Sequence, residues 1–152
     1  MPYLHTDDQQ RLYYEEAGSG PTLLFVHEFA GDHRSWEPQM RYFSRRYRCV
    51  AYSARGYLPS SVPESADDYS QWRVSEDIRC VLDALQVDRA HVVGLSMGAF
   101  ATLHFGIRYA QHPKQNRALT LTLAGCGTGS HPDVHENFKK DSAALGASLM
   151  RD

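Results

Sequence analysis

Gly94-Leu95-Ser96-Met97-Gly98 sets a serine between two glycines at a spacing that suits a nucleophile. An apolar run, His91-Val92-Val93, precedes it, and a helix-forming run, Ala99 to Phe105, follows. A strand that turns into a helix within one residue drives side chains at 94 and 98 against neighbouring backbone. Glycine removes that clash and accepts the unusual dihedrals. Ser96 is thereby lifted out of the turn with its hydroxyl free to attack an electrophilic carbon. The five-residue pattern alone is a weak signal. The strand before it and the helix after it make it specific.

A serine hydroxyl is a poor nucleophile until a general base takes its proton, and the base needs an orienting carboxylate. After Ser96 the residues of suitable type are His104, His112, His131 and His135, with Asp133, Glu136, Asp141 and Asp152. His104 falls two turns into the helix that leaves Ser96 and reads as a packed or surface side chain. His112 precedes Pro113 at the far end of that helix. His131 and His135 belong to a polar tail. Their H-x-x-x-H spacing lacks the glutamate of a zinc motif and contains Pro132, so a solvated loop is expected and no metal. The glycines at 125, 127 and 129 have no phosphate-binding fingerprint around them, and no cofactor is expected. Cys126, just past a strand end, reads as a small hydrophobe.

The elements that must position this serine can be read from hydrophobic periodicity. Arg11 to Glu16 alternates like a half-exposed strand, and Gly18-Ser19-Gly20-Pro21 is a turn. Thr22 to Val26 is a nearly continuous apolar run of the kind found in buried parallel strands. Ser35 and Pro38 suggest a helix start, with the helix running to about Arg45. Cys49 to Tyr52 is the next strand and residues 59–68 a loop. Ser75-Glu76-Asp77 reads as the opening of a helix whose Ile78, Val81, Leu82 and Leu85 share one face. Ala90 to Val93 delivers the serine turn, a helix runs on to about Tyr109, and Ala118 to Ala124 is a further strand. Alternating strands and helices predict an α/β fold with a mostly parallel sheet and helices on both faces.

The 152 residues carry 42% hydrophobic residues, enough for a sizeable core, and a formal net charge of −2. That balance gives no field for nucleic acid. The basic clusters at 41–48 and 114–117 read as solvated surface. No apolar run approaches membrane-spanning length, so no membrane partner is expected. The polar, acidic N-terminus does not read as a signal peptide. Three cysteines without a C-x-x-C pattern suggest reduced thiols and a cytoplasmic setting.

Taken together, these motifs resemble the α/β-hydrolase superfamily over roughly residues 10 to 127. The serine turn matches that family's nucleophile elbow. Val26-His27-Glu28-Phe29 stands where many members carry His-Gly-x with a tryptophan some residues later, a place that Trp36 suits. Tyr52 to Ser60 resembles the loop D-x-R-G-x-G-x-S, with Ser53 replacing the aspartate and Leu58 the second glycine. The wording around Ser96 is similar to small esterases, enol-lactonases and cofactor-free haloperoxidase-like members. The resemblance implies an α/β-hydrolase core through about its sixth strand in residues 1–127. Residues 128–152 form a tail that reads as the start of a cap helix, with Val134, Phe138, Leu145 and Leu149 on one face.

The resemblance further implies a serine hydrolase for a small carboxylic ester or lactone, with an acyl-enzyme on Ser96. The backbone N–H groups of Met97 and Phe29 would form the oxyanion hole, and losing one such donor costs about 3–4 kcal/mol of transition-state stabilisation. Glu28 departs from the family glycine and is expected to point away from the oxyanion, while His27 is expected to support the loop. Aspartate-elbow relatives, the haloalkane dehalogenases and epoxide hydrolases, differ at the nucleophile. In this family the acid and the histidine follow later strands, and no residue here matches those positions. The alternative is therefore a catalytically inactive or nearly inactive hydrolase-fold chain that acts through binding. A sheet ending at Ala118–Ala124 would leave an open edge, which predicts self-association.

Overall fold

Thr22–Val26 is buried along its whole length and lies inside a single six-stranded sheet. The computed structural model describes residues 2–110, 116–126 and Lys140. The 128–152 tail, apart from Lys140, and His112, His131 and His135 lie outside the described residues. The strands are β1 (Tyr3–His5), β2 (Arg11–Ala17), β3 (Thr22–Val26), β4 (Arg48–Tyr52), β5 (Ala90–Leu95) and β6 (Ala118–Ala124). They stand in the order β1-β2-β4-β3-β5-β6, with β4, β3, β5 and β6 mutually parallel and the β1 and β2 pairings antiparallel. Three helices complete the fold: α1 (Glu37–Phe43), α2 (Gln71–Ala84) and α3 (Met97–Tyr109).

The period-two alternation of the central strands divides their side chains between two cores. Leu24, Val26, Val50, Tyr52 and Val92 face α2 and α3, where Ile78, Val81, Leu82, Ala101 and Phe105 cover them. Leu23, Phe25, Cys49 and Ala51 face the other way, onto Trp36 and Met40 of the α1 side. The Trp36 ring stacks on Phe25 at 4.9 Å between centroids. Helices thus cover both faces, as the alternation of elements predicts.

Local chemistry moves three boundaries from their expected places. α2 begins at Gln71, four residues before the expected Ser75, because the Ser70 hydroxyl caps it by accepting from Arg73 N–H at 3.0 Å. Its first turn, Gln71 to Val74, leaves Trp72 exposed and packs only Val74 on the core, so hydrophobic periodicity marks it weakly, and Glu76 and Asp77 fall in the second turn as buried ion-pair partners. Ser35 is not a helix cap. Asp32 takes that role for a 3-10 turn at His33–Trp36, accepting from Arg34 N–H at 2.8 Å, and α1 follows only to Phe43. A further 3-10 turn, Ala66–Asp68, lies within the expected 59–68 loop, and β1 is a three-residue strand too short to leave a periodic signal.

Among the described residues no strand pairs with the outer edge of β6. Leu119 and Leu123 on it are 42% and 39% exposed, and the strand carries no charge and no proline to blunt it. Its sequence, Ala-Leu-Thr-Leu-Thr-Leu-Ala, reads the same in both directions. Two copies meeting antiparallel about Leu121 would therefore set Thr120 against Thr122 and Leu119 against Leu123. This edge predicts self-association of the chain. Light scattering should show a mass that rises with concentration and falls toward the monomer in Leu123→Lys; a clean monomer at high concentration would contradict it.

Candidate functional site

Ser96 occupies the one-residue joint between β5 and α3, at φ 52° and ψ −111°. For a non-glycine residue such a backbone costs on the order of 1–3 kcal/mol and persists only where its surroundings impose it. Here they do. A Cβ on Gly94 would lie 2.3 Å from the Gly98 carbonyl oxygen, and one on Gly98 would lie 2.2 Å from the carbonyl oxygen of Val26. The first turn of α3 is thus pressed onto the backbone at the end of β3. Ser96 N–H donates to Ala124 O at 2.9 Å, tying the joint to β6 as well. Its side chain is exposed and caps nothing, so the hydroxyl is available. Met97, the first residue of α3, has an N–H with no acceptor inside the helix, at the end where the helix dipole favours negative charge.

The loop that follows β3 carries the second expected donor, Phe29, whose ring is 65% exposed. Fully buried His27 anchors this loop. Its Nε2 accepts from Ala54 N–H at 3.0 Å, so the proton sits on Nδ1 and is donated to Glu28 O at 2.7 Å. Burial lowers the pKa of this imidazole and keeps it neutral. Tyr57 packs edge-on against it, 4.7 Å between centroids, and turns its hydroxyl toward the Met97 sulfur at 3.5 Å. His27 is therefore a support for the loop, as expected, and both of its nitrogens are occupied. The Glu28 carboxylate turns back over its own loop, where Oε1 accepts from the Ser35 hydroxyl at 2.8 Å.

The loop after β4 is held from below by Arg55, whose side chain is fully buried. Nε and Nη2 donate to the two oxygens of Asp77, both at 2.7 Å. Nη1 and Nη2 donate to Asp8 at 2.8 and 3.0 Å, and Nη1 also donates to Asp68 O at 2.9 Å. All five guanidinium N–H groups are thereby satisfied, which is what makes so deep a charge tolerable. Nothing in the spacing of residues 8, 68 and 77 announces this hub. Ser60 locks the same loop, donating to Ser53 O at 2.7 Å and accepting from Tyr13 N–H at 2.8 Å.

One string of residues has the connectivity of a triad but not its access. Ser53 Oγ lies 2.8 Å from His33 Nδ1, and His33 Nε2 lies 3.5 Å from Glu15 Oε1. Ser53 is completely buried, so no substrate carbonyl reaches it. Among the described residues no imidazole is placed as a base for Ser96. His104 is eight residues further along α3, about 12 Å of helical rise away, and packs edge-on against Phe100 at 4.6 Å. His91 bonds Thr120 at 2.8 Å. Among the described residues, no cluster of three His, Cys, Asp or Glu side chains could hold a metal, and no helix is long and apolar enough to cross a membrane. An open pocket of about 230 Å³ under Tyr42, Phe43, Arg45, Arg46 and Tyr47 precedes β4, at the end of the sheet opposite Ser96.

Known proteins share this fold. The family model of the alpha/beta hydrolase fold matches residues 21–147. The chain is similar to epoxide hydrolase 1 of Caenorhabditis elegans, 37% identical over 103 residues, covering 66% of this chain and 26% of that protein. It is similar to 3-oxoadipate enol-lactonase 1 of Acinetobacter baylyi, 35% identical over 92 residues, covering 60% and 34%. A hydrolase structure from Pseudomonas aeruginosa superposes with a TM-score of 0.79 at 32% identity, covering 94% of this chain and 51% of that one. The chain thus spans about a quarter to a half of the length of these relatives.

Two tests follow from the packing. Gly98→Ala should lower the melting temperature sharply, because the backbone carbonyls of Val26 and His27 cannot move aside; a variant as stable as the parent would contradict the close approach. Asp8 of the hub and Asp32 of the 3-10 turn predict an acid limb, whereas burial raises the pKa of Asp77. Hydrogen bonds from Arg55 hold the Asp8 carboxyl well below its usual 3.8, and those from Arg34 hold Asp32 down at about 2. A depressed carboxyl contributes stability above its unfolded pKa and loses it as pH falls. Stability should therefore fall progressively as pH drops below about 5, where the unfolded carboxyls begin to take up protons, and the lowered pKa of buried His27 adds a loss from near 6.5 downward. Asp8→Asn should be less stable at neutral pH and show a shallower decline in thermal scans.

Proposed function

Because the chain belongs to the α/β hydrolase fold family, we propose that it is a serine hydrolase of small carboxylic esters or lactones, with Ser96 as nucleophile. The observation that carries this reading is an exposed serine held at a strained joint by two glycines that tolerate no side chain. Ser96 Oγ attacks the ester carbonyl carbon as its proton passes to a base. The carbonyl electrons move onto oxygen, and the N–H groups of Met97 and Phe29 receive that charge. Collapse of the tetrahedral intermediate breaks the C–O bond to the leaving alcohol, which takes up the proton. Water then cleaves the acyl-enzyme by the same route in reverse. Among the described residues no imidazole stands as this base.

The resemblance to epoxide hydrolases raises a second chemistry, and the nucleophile decides against it. Serine opening an epoxide ring would form an ether at Oγ, which has no carbonyl for water to attack. The enzyme would be alkylated once and stop. Attack on an ester or lactone leaves an acyl group that water can release, and the enol-lactonase likeness supports that class. Cys49, Cys80 and Cys126 are free thiols, which supports a reducing, cytoplasmic setting. The competing reading is a hydrolase-fold chain that binds without turning over, favoured by the absence of a base among the described imidazoles.

Hydrolysis of p-nitrophenyl acetate and butyrate and of simple lactones separates these readings. The proposal expects turnover that Ser96→Ala lowers by several orders of magnitude, with no diol formed from styrene oxide. Background rates in the parent, or turnover unchanged in Ser96→Ala, would refute it.

A further inference from the structure

Glu28 stands where the resemblance expects glycine, and its side chain is built into the loop that carries Phe29. Oε1 accepts from the Ser35 hydroxyl of the 3-10 turn at 2.8 Å. The carboxylate lies across Gly31 so closely that a Cβ there would meet Oε1 at 2.1 Å and the Ser35 Oγ at 2.3 Å. Gly31 N–H closes the turn on Glu28 O at 3.3 Å, the same oxygen that accepts from His27. Gly31 does not adopt a positive φ, so glycine is needed here for space and not for conformation. The second carboxylate oxygen, Oε2, is buried with no protein partner among the described residues.

We propose that Glu28, Gly31 and Ser35 form a matched clasp, in which Glu28 is a positioning residue for the Phe29 N–H. Both ends of residue 28 are fixed, its carbonyl by His27 and its carboxylate by Ser35. The peptide between Glu28 and Phe29 is thereby held, and its N–H is the donor assigned to the oxyanion. An unclasped residue 28 would leave that peptide held through its carbonyl alone. A misplacement of about 1 Å at a reacting centre costs on the order of 10²-fold in rate. The clasp also keeps the negative charge of Glu28 turned toward Ser35 instead of the developing oxyanion. This assignment rests on the reading of Ser96 as nucleophile, but the clasp itself is a packing claim that stands apart from it.

Two measurements on the full chain test both parts. In thermal unfolding, Gly31→Ala should cost more stability in the parent than in Glu28→Ala, where the carboxylate no longer fills the space and Ser35 is free to rotate. Additive losses would overturn the clasp. In fluorophosphonate labelling of Ser96, Glu28→Ala and Ser35→Ala should slow the reaction by similar factors, approaching 10²-fold, with the double variant no slower than either. Glu28→Gln, which keeps the acceptor for Ser35, should restore most of the rate. Parent-like labelling in Glu28→Ala would overturn the positioning role. No labelling of the parent would overturn that role together with the hydrolase reading, while the thermal cycle still decides the clasp.

Discussion

The site depends on one close approach of backbone to backbone. The first turn of α3 lies against the carbonyl groups of Val26 and His27, and only a glycine at 98 allows it. That contact sets how far α3 is driven toward β3, and so how sharply the chain bends at Ser96. The bend explains the positive φ of Ser96, the free hydroxyl and the unpaired N–H at Met97. It also brings the β3 loop and the start of α3 together, the two places from which a carbonyl oxygen could be held. Strain at a single residue is outweighed because the surrounding sheet is buried and rigid.

Around that contact the loops are fixed by polar groups whose partners are nearly all accounted for. His27 joins the β3 loop to the β4 loop through its two ring nitrogens, and Tyr57 carries the linkage on to Met97. Arg55 joins the β4 loop to the β1–β2 connection and to α2. Neither residue is exposed or chemically active. Each converts burial of a polar group, which is costly when unpaired, into a fixed geometry at the end of the sheet where Ser96 emerges.

The sequence made the strands and the serine turn legible for physical reasons. Thr22–Val26 is buried on both faces and therefore continuously apolar, and Gly94 and Gly98 are obligatory and therefore visible as a pattern. The family and its sheet could be read from these alone. What escaped had no local signature. The start of α2 at Gln71 is hidden because Trp72 in its first turn is exposed, and Ser35 lies inside the 3-10 turn that Asp32 caps, where it bonds Glu28. The Arg55 hub draws on residues 8, 68 and 77, which only the folded chain brings together. Glu28 was visible as a departure from the family pattern, but its fit to Gly31 and Ser35 is a three-dimensional fact.

If this bend presents Ser96 as a nucleophile, an ester substrate acylates it. Rapid acid quenching of the chain during exposure to p-nitrophenyl butyrate, followed by peptide mass spectrometry, tests it most directly. The account predicts one butyryl group on the peptide containing Ser96, decaying as substrate is exhausted and absent in Ser96→Ala. An unmodified peptide, or acylation that persists in Ser96→Ala, would contradict it.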